Sequence, residues 1–121
     1  MKLYLVRHGQ RNKGENFDQI TKEGTEQSKK VGEYLSNINF NKIYCSPQKR
    51  AKQTLENMKL HKKDIDIEIT EQLRQQAAPE EVGQEIIDKL KIITETNKET
   101  IKRAKKFLSL LLSEHKNNTI L

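Results

Sequence analysis

The sequence is poor in residues that punctuate or cross-link a chain. Of 121 residues, 5 are Gly, 2 are Pro and 1 is Cys, and Trp is absent. A single Cys excludes a disulfide framework and any Cys-based zinc finger. So little Gly and Pro excludes collagen-like and glycine-rich classes. No apolar run approaches the roughly 18 residues that a membrane helix needs. The apolar stretch within Met1–Val6 is too short for the core of a secretory signal. These absences predict a reduced, cytoplasmic setting with no membrane partner. The 3 Phe and 3 Tyr are not interleaved with basic residues, and no helix-turn-helix or zinc pattern occurs. Both points argue against a nucleic-acid partner.

What is present suffices for one packed domain over residues 1–121. Leu, Ile, Val and Phe number 12, 12, 3 and 3, so 30 of 121 residues. That is above the level at which composition alone predicts disorder. The net charge is +6 and lies in one half of the chain. Residues 1–60 carry 12 Lys/Arg against 6 Asp/Glu, and residues 61–121 carry 11 against 11. A basic N-terminal half is either a solvated surface or an attractor for an anion.

Short apolar runs alternate with helical patterns. Lys2–Val6 reads as a strand, and Thr21–Leu35 as a helix with Thr21 as N-cap and Val31, Tyr34 and Leu35 on its apolar side. Lys42–Cys45 reads as a second strand. Ser46 and Pro47 suit the cap and first position of a following helix with the stripe Ala51, Leu55, Met58. Ile65, Ile67 and Ile69 alternate with Asp66 and Glu68, a strand period. This alternation makes Asp64, Asp66 and Glu68 a solvated strand face rather than a metal site. Pro79 opens a helix with Val82, Ile86, Ile87, Leu90 and Ile93. Another helix carries Ile101, Ala104, Leu108, Leu111 and Leu112. Thr119–Leu121 looks like the start of a strand. Strands alternating with helices predict an α/β fold: a three-layer α/β/α sandwich around a mostly parallel sheet. Ligands in such folds bind at the carboxyl ends of the strands.

Those ends carry chemistry. The first strand runs into Arg7-His8-Gly9-Gln10-Arg11, the second into Ser46-Pro47-Gln48-Lys49-Arg50, and the third toward Leu73-Arg74-Gln75. A neutral imidazole is a good nucleophile near pH 7. Guanidinium groups grip phosphate oxygens and stay charged. A His among arginines therefore suits attack on a phosphoryl group. Gly9 lets the backbone approach a ligand closely.

Leu5-Val6-Arg7-His8-Gly9 resembles the signature of the histidine phosphatase superfamily, the phosphoglycerate-mutase-like fold. Ile20-Thr21-Lys22-Glu23-Gly24-Thr25-Glu26-Gln27 is similar to that family's "LT..G..QA" segment. Ile43 to Thr54 is similar to its "I..SPL.RA.QTA" segment. The three ordered motifs cover residues 1–55. The resemblance implies that His8 is the nucleophile that becomes phosphohistidine, with Arg7 and Arg50 binding the phosphoryl oxygens. Arg11 takes a further phosphate-binding role found in some branches, and Gln10 lines the pocket. No cofactor or metal is needed. The implied activity is hydrolysis of phosphate monoesters, on a phosphorylated small molecule or a phosphoprotein. Phosphoryl transfer of the mutase type is the alternative.

Two departures stand out. The family's acid, a Glu in an "L.E" triplet, is replaced by Gln75 in Leu73-Arg74-Gln75. Gln cannot donate a proton as an acid does. Glu80 and Glu81 are substitutes, but a helix N-terminus favours the carboxylate over the acid. The second catalytic His of the pattern, in a segment like "TILVVSHG", has no counterpart within residues 1–121. His61 and His115 read as surface residues. The expectation is a histidine-phosphatase domain lacking its C-terminal portion. Its sheet edge at Leu121 is then open to a second chain that completes the sheet.

Other readings fit less well. Cys45 and Arg50 are separated by four residues with no Gly. A cysteine phosphatase loop needs five intervening residues. A decayed, phosphate-binding protein that keeps Arg7, Arg11 and Arg50 fits the Gln75 change.

Overall fold

The computed structural model describes residues 1–60, 64–75, 97–115 and 117–121. Along the chain run β1 (Lys2–Leu3), α1 (Lys22–Leu35), β2 (Lys42–Cys45), α2 (Lys49–Met58), β3 (Asp66–Ile69), α3 (Asn97–Glu114) and β4 (Thr119–Ile120). The strands form one sheet in the order β1-β4-β2-β3, and each neighbouring pair is parallel. The helix expected from Pro79 onward lies outside the described residues, as do Glu80, Glu81 and His61.

Alternation along the strands sorts side chains onto two faces. Ile43 points to one face and packs with Leu35, Phe40, Met58 and Leu60, the core under α1 and α2. Tyr44 and Ile120 point to the other and pack with Phe107 and Leu111 of α3. Helices therefore cover both faces of the sheet, giving the three-layer α/β/α sandwich.

α1 begins as its sequence predicts: the Thr21 hydroxyl accepts from the Gly24 amide at 3.0 Å. Its buried face is Gly24, Ser28, Gly32 and Leu35. Gly32 is small because α2 lies close. A Cβ on Gly32 would sit 2.2 Å from the Met58 carbonyl oxygen. Tyr34, expected on the apolar side, is 82% exposed because it lies off this line.

Three further expectations are corrected. α2 starts at Lys49, not Pro47, and Gln48 at the N-cap makes no side-chain cap. The cap comes instead from Asp18, whose carboxylate accepts from the Lys49 amide at 3.0 Å and the Arg50 amide at 3.4 Å. α3 buries Phe107 and Leu111, one turn apart, while Ile101, Leu108 and Leu112 stay exposed. His115 is not a free surface residue. Its Nε2 lies 2.8 Å from the Tyr44 hydroxyl and its Nδ1 3.0 Å from Asn118.

β1 is shorter than Lys2–Val6, and the expected edge at Leu121 is wrong. β4 lies inside the sheet, between β1 and β2. The Tyr4 amide donates to the Ile120 carbonyl at 2.8 Å. On the other side, the Tyr44 amide donates to the Leu121 carbonyl at 2.9 Å. β4 pairs only with the first residues of β1, so Leu5 and Val6 carry no ladder bonds and Leu5 is 85% exposed. The edges are β1 and β3. All of β3 is exposed, and Lys42 on β2 reaches its Asp66 and Glu68 at 3.5 and 2.8 Å.

Candidate active site

The loop after β1 is tied down by the other two motifs. The Gly9 amide donates to Thr54 Oγ1 at 2.9 Å, and that hydroxyl donates to the Arg50 carbonyl one turn back in α2. The Gln10 amide donates to Gln27 Oε1 at 2.9 Å. The Gln10 carbonyl accepts from the Thr21 amide at 2.8 Å, and its side chain accepts from the Thr21 hydroxyl at 2.8 Å. Gly9 and Gly24 are glycines because these backbones nearly touch. A Cβ on Gly9 would lie 2.4 Å from the Gly24 carbonyl oxygen, and one on Gly24 would lie 2.3 Å from the Gln10 carbonyl oxygen. The motif residues that look decorative in sequence thus fasten His8 in place.

His8 is half-buried, and its Nδ1 lies 2.7 Å from the Gly9 carbonyl oxygen. A carbonyl only accepts, so Nδ1 carries the hydrogen and Nε2 keeps its lone pair. Nε2 is buried and has no hydrogen-bond partner. Burial pushes the imidazole below its ordinary value of 6.5, and the charges of Arg50, Arg7 and Arg11 push the same way. The Gly9 contact opposes them. The ring is therefore neutral at pH 7, the state a nucleophile requires.

Arg50 is 4% exposed. Its Nη1 donates to Asp18 at 2.6 Å and its Nη2 to Gln75 Oε1 at 3.0 Å, while its Nε is buried without a partner. A buried unpaired donor is costly, and such groups mark places where a ligand completes the bonding. Among the described residues the two such side-chain atoms are His8 Nε2 and Arg50 Nε. One is a lone pair, the other a charged donor.

Arg7 is exposed and lines two cavities, as does His8. One, of about 740 Å³, runs between the C-terminal ends of β1 and β2 and is walled by Leu5, Val6, Tyr44, Leu55, Phe107 and Leu121, among others. The other, of about 560 Å³, is walled by the loop after β1 and contains Gln10, Arg11 and Lys13. Gln75 lines the first cavity. Sequence reasoning singled out His8, Arg7, Arg11, Arg50, Gln10 and Gln75; all but Arg50 line one or both cavities, and Arg50 reaches them only through its bond to Gln75. It missed Asp18, Thr54 and Gln27. Thr54 stands four residues after Arg50, on the same helical face, which is a readable signal. Asp18 gives none, since its partners lie 31 and 32 residues away. Cys45 is buried, and burial raises its thiol pKa, so it is no competing nucleophile.

A neutral His and several Arg thus stand toward the strand ends of a parallel α/β sheet. The chain belongs to the histidine phosphatase superfamily (branch 1), whose sequence profile matches residues 3–121. No curated protein sequence matches the chain. Solved structures are similar to it. A putative alpha-ribazole-5'-P phosphatase from Escherichia coli has a TM-score of 0.75 at 19% identity, covering 100% of this chain and 72% of that one. Bacillus stearothermophilus YhfR has a TM-score of 0.75 at 22% identity, covering 98% of this chain and 71% of that one. A mycobacterial glucosyl-3-phosphoglycerate phosphatase has a TM-score of 0.67 at 18% identity, covering 94% and 69%. At these identities the likeness concerns the fold. Among the described residues no helix is long and apolar enough to cross a membrane.

Proposed function

We propose that the protein transfers the phosphoryl group of a phosphate monoester to His8 and then to water. The observation that carries this reading is the state of His8: its Nδ1 is committed to a carbonyl, and its neutral Nε2 is without a partner. The Nε2 lone pair attacks phosphorus, the ester P–O bond breaks, and the alcohol oxygen leaves with the bonding pair. Water then attacks the phosphorus of phosphohistidine, and the P–N bond returns its electrons to Nε2. Arg7 and Arg50 offset the charge on the phosphoryl oxygens in both steps. Arg50 is held in position by Asp18 and Gln75, and so presents a fixed rather than a swinging donor.

The leaving oxygen needs a proton unless it is already a weak base. Gln75 cannot supply one, and its carbonyl is spent on Arg50. The reading therefore favours esters with good leaving groups, aryl or acyl phosphates above simple alkyl phosphates. The same observation supports a second reading, in which the site binds phosphate esters without turning them over. The substrate is a phosphorylated small molecule or a phosphoprotein in either case. The test is hydrolysis of a series of aryl phosphates by the chain and by His8→Ala. Turnover that rises steeply with leaving-group acidity and vanishes in His8→Ala supports the first reading. Orthophosphate binding with no turnover in any member of the series supports the second.

A further inference from the structure

Gln75 holds Arg50 but is itself exposed, as are Leu73 and Arg74 before it. Burial therefore does little to fix this stretch, and its hydrogen bonds decide where Gln75 stands.

The stretch leaves β3 through one tight helical turn, Glu71–Leu73. Thr70 caps the turn, its hydroxyl accepting from the Gln72 amide at 3.3 Å. Arg74 is extended, and the next amide, that of Gln75, donates to Gln48 Oε1 at 3.1 Å. Gln48 Nε2 lies 3.5 Å from the Gln75 carbonyl oxygen, so the side chain ahead of α2 meets both backbone groups of Gln75. The other hold comes from α3. Arg103 donates from Nη1 to the Gln72 carbonyl, and from Nη2 to the Arg74 carbonyl at 2.6 Å. Carbonyls at the end of a helical turn lack partners within it. The planar fork of a guanidinium can take two of them at once in a single geometry. Arg103 stands four residues before Phe107 on α3, hence on the same helical face, and Phe107 packs on Tyr44 of β2. The core contact thus seats the arginine that grips the turn.

We infer that Arg103 is a positioning residue for the phosphate site. It fixes the backbone from Gln72 to Arg74, and that backbone delivers the Gln75 side chain to Arg50 Nη2. Gln75 and Asp18 then hold the Arg50 guanidinium at its two Nη atoms and leave Nε for the ligand. Arg103 acts through Gln75 and not on the phosphate. The inference rests on the reading of His8 and Arg50 as the phosphate site.

The test is calorimetric binding of orthophosphate to the unaltered chain and to Arg103→Met, Arg103→Lys, Gln75→Ala and Arg103→Met/Gln75→Ala. Arg103→Met keeps the apolar stem and is expected to weaken binding about tenfold, because Arg50 loses its preorganisation. Arg103→Lys keeps the charge but not the fork, and is expected to weaken binding by more than about threefold. Gln75→Ala is expected to cost as much as Arg103→Met. The double variant should lie within about twofold of Gln75→Ala alone, since both changes act through one contact. The Arg50 Nε–H signal in NMR, assigned by its loss in Arg50→Lys, is expected to shift in Arg103→Met and in Gln75→Ala without phosphate present. A merely structural Arg103 would lower stability in urea, yet leave the Arg50 signal and the phosphate affinity of the folded protein unchanged. That result overturns the inference and leaves the phosphate site standing. So does unaltered affinity in Arg103→Lys, which would make charge alone responsible, or losses that multiply in the double variant. If the unaltered chain does not bind orthophosphate, the phosphate site itself falls, and this inference with it.

Discussion

Two cavities meet at His8, and they are made in opposite ways. The basic one is built from a short stretch of chain, Arg7 to Phe17 with Gln27 from α1. Its chemistry is polar and positive. The apolar one is assembled from the ends of three strands with α2 and α3, residues as far apart as Leu3 and Leu121. Bonds across the sheet hold β1 and β2 on either side of β4. The contrast shows how this chain divides its labour. His8 sits on a local loop that hydrogen bonds tie down, Arg50 comes from α2, and the shape around them comes from distant apolar contacts.

Substitutions can set these two regions against each other. The largest loss is expected on the apolar side. Phe107→Ala removes a buried ring that packs on Tyr44 at 5.3 Å, and costs about 4 kcal/mol in urea unfolding. Orthophosphate affinity should follow only through the folded fraction. A direct loss of affinity in the folded protein would mean that the two cavities are not separable.

Gly9→Ala is the next in size and falls on both regions at once. The added methyl meets three backbone atoms of Gly24 at under 3.0 Å, and backbone cannot step aside as a side chain can. We expect about 3 kcal/mol of destabilisation by the same measurement. Unchanged stability would show that the contact between the β1 loop and α1 is loose.

Asp18→Ala removes the cap on α2 and the partner of Arg50 Nη1 together. The carboxylate is partly exposed, which softens the ion-pair loss, so about 2 kcal/mol is expected. Phosphate binding should weaken beyond what stability explains, because Arg50 loses its anchor. Asp18→Asn keeps the acceptor for the helix amides and is expected to recover most of the stability but less of the binding.

The smallest effect is one of pH. The folded state holds His8 below its unfolded value of 6.5 and so binds fewer protons there. Stability therefore rises with pH across that region. The unfavourable contribution of His8 is present in full below its lowered folded pKa, and fades as pH rises to 6.5 and above. His8→Gln should flatten the slope of unfolding free energy against pH below 6.5, and leave stability at pH 8 nearly as it was. An unaltered slope would mean that His8 is not the group responsible.

The same division governs what was legible in the sequence. Ordered motifs identified the loop after β1, the cap at Thr21 and the arginine on α2, because each depends on residues close in the chain. They also put the candidate residues at the strand ends, since parallel α/β sheets leave little choice. Asp18 was not legible. It caps α2 across 31 residues of chain, and the local signal, Ser46-Pro47, points to an earlier start. The length of β1 was not legible either. Leu5 and Val6 have strand-forming character, but a strand needs a partner, and β4 pairs with β1 only at Lys2 and Leu3. Tyr34 and the flanking apolar residues of α3 were misplaced for a related reason. Helical period identifies a face, and only the neighbour decides how wide that face is.

The most direct test of the account is to trap the phosphorylated protein. The chain is mixed with a good aryl phosphate, quenched in base, where phosphohistidine survives, and its peptides are read by mass spectrometry and phosphorus NMR. The account predicts one phosphoryl group on His8, bonded to Nε2, and none in His8→Ala. A phosphoryl group on Nδ1, or on another residue, or hydrolysis that continues in His8→Ala, would contradict it.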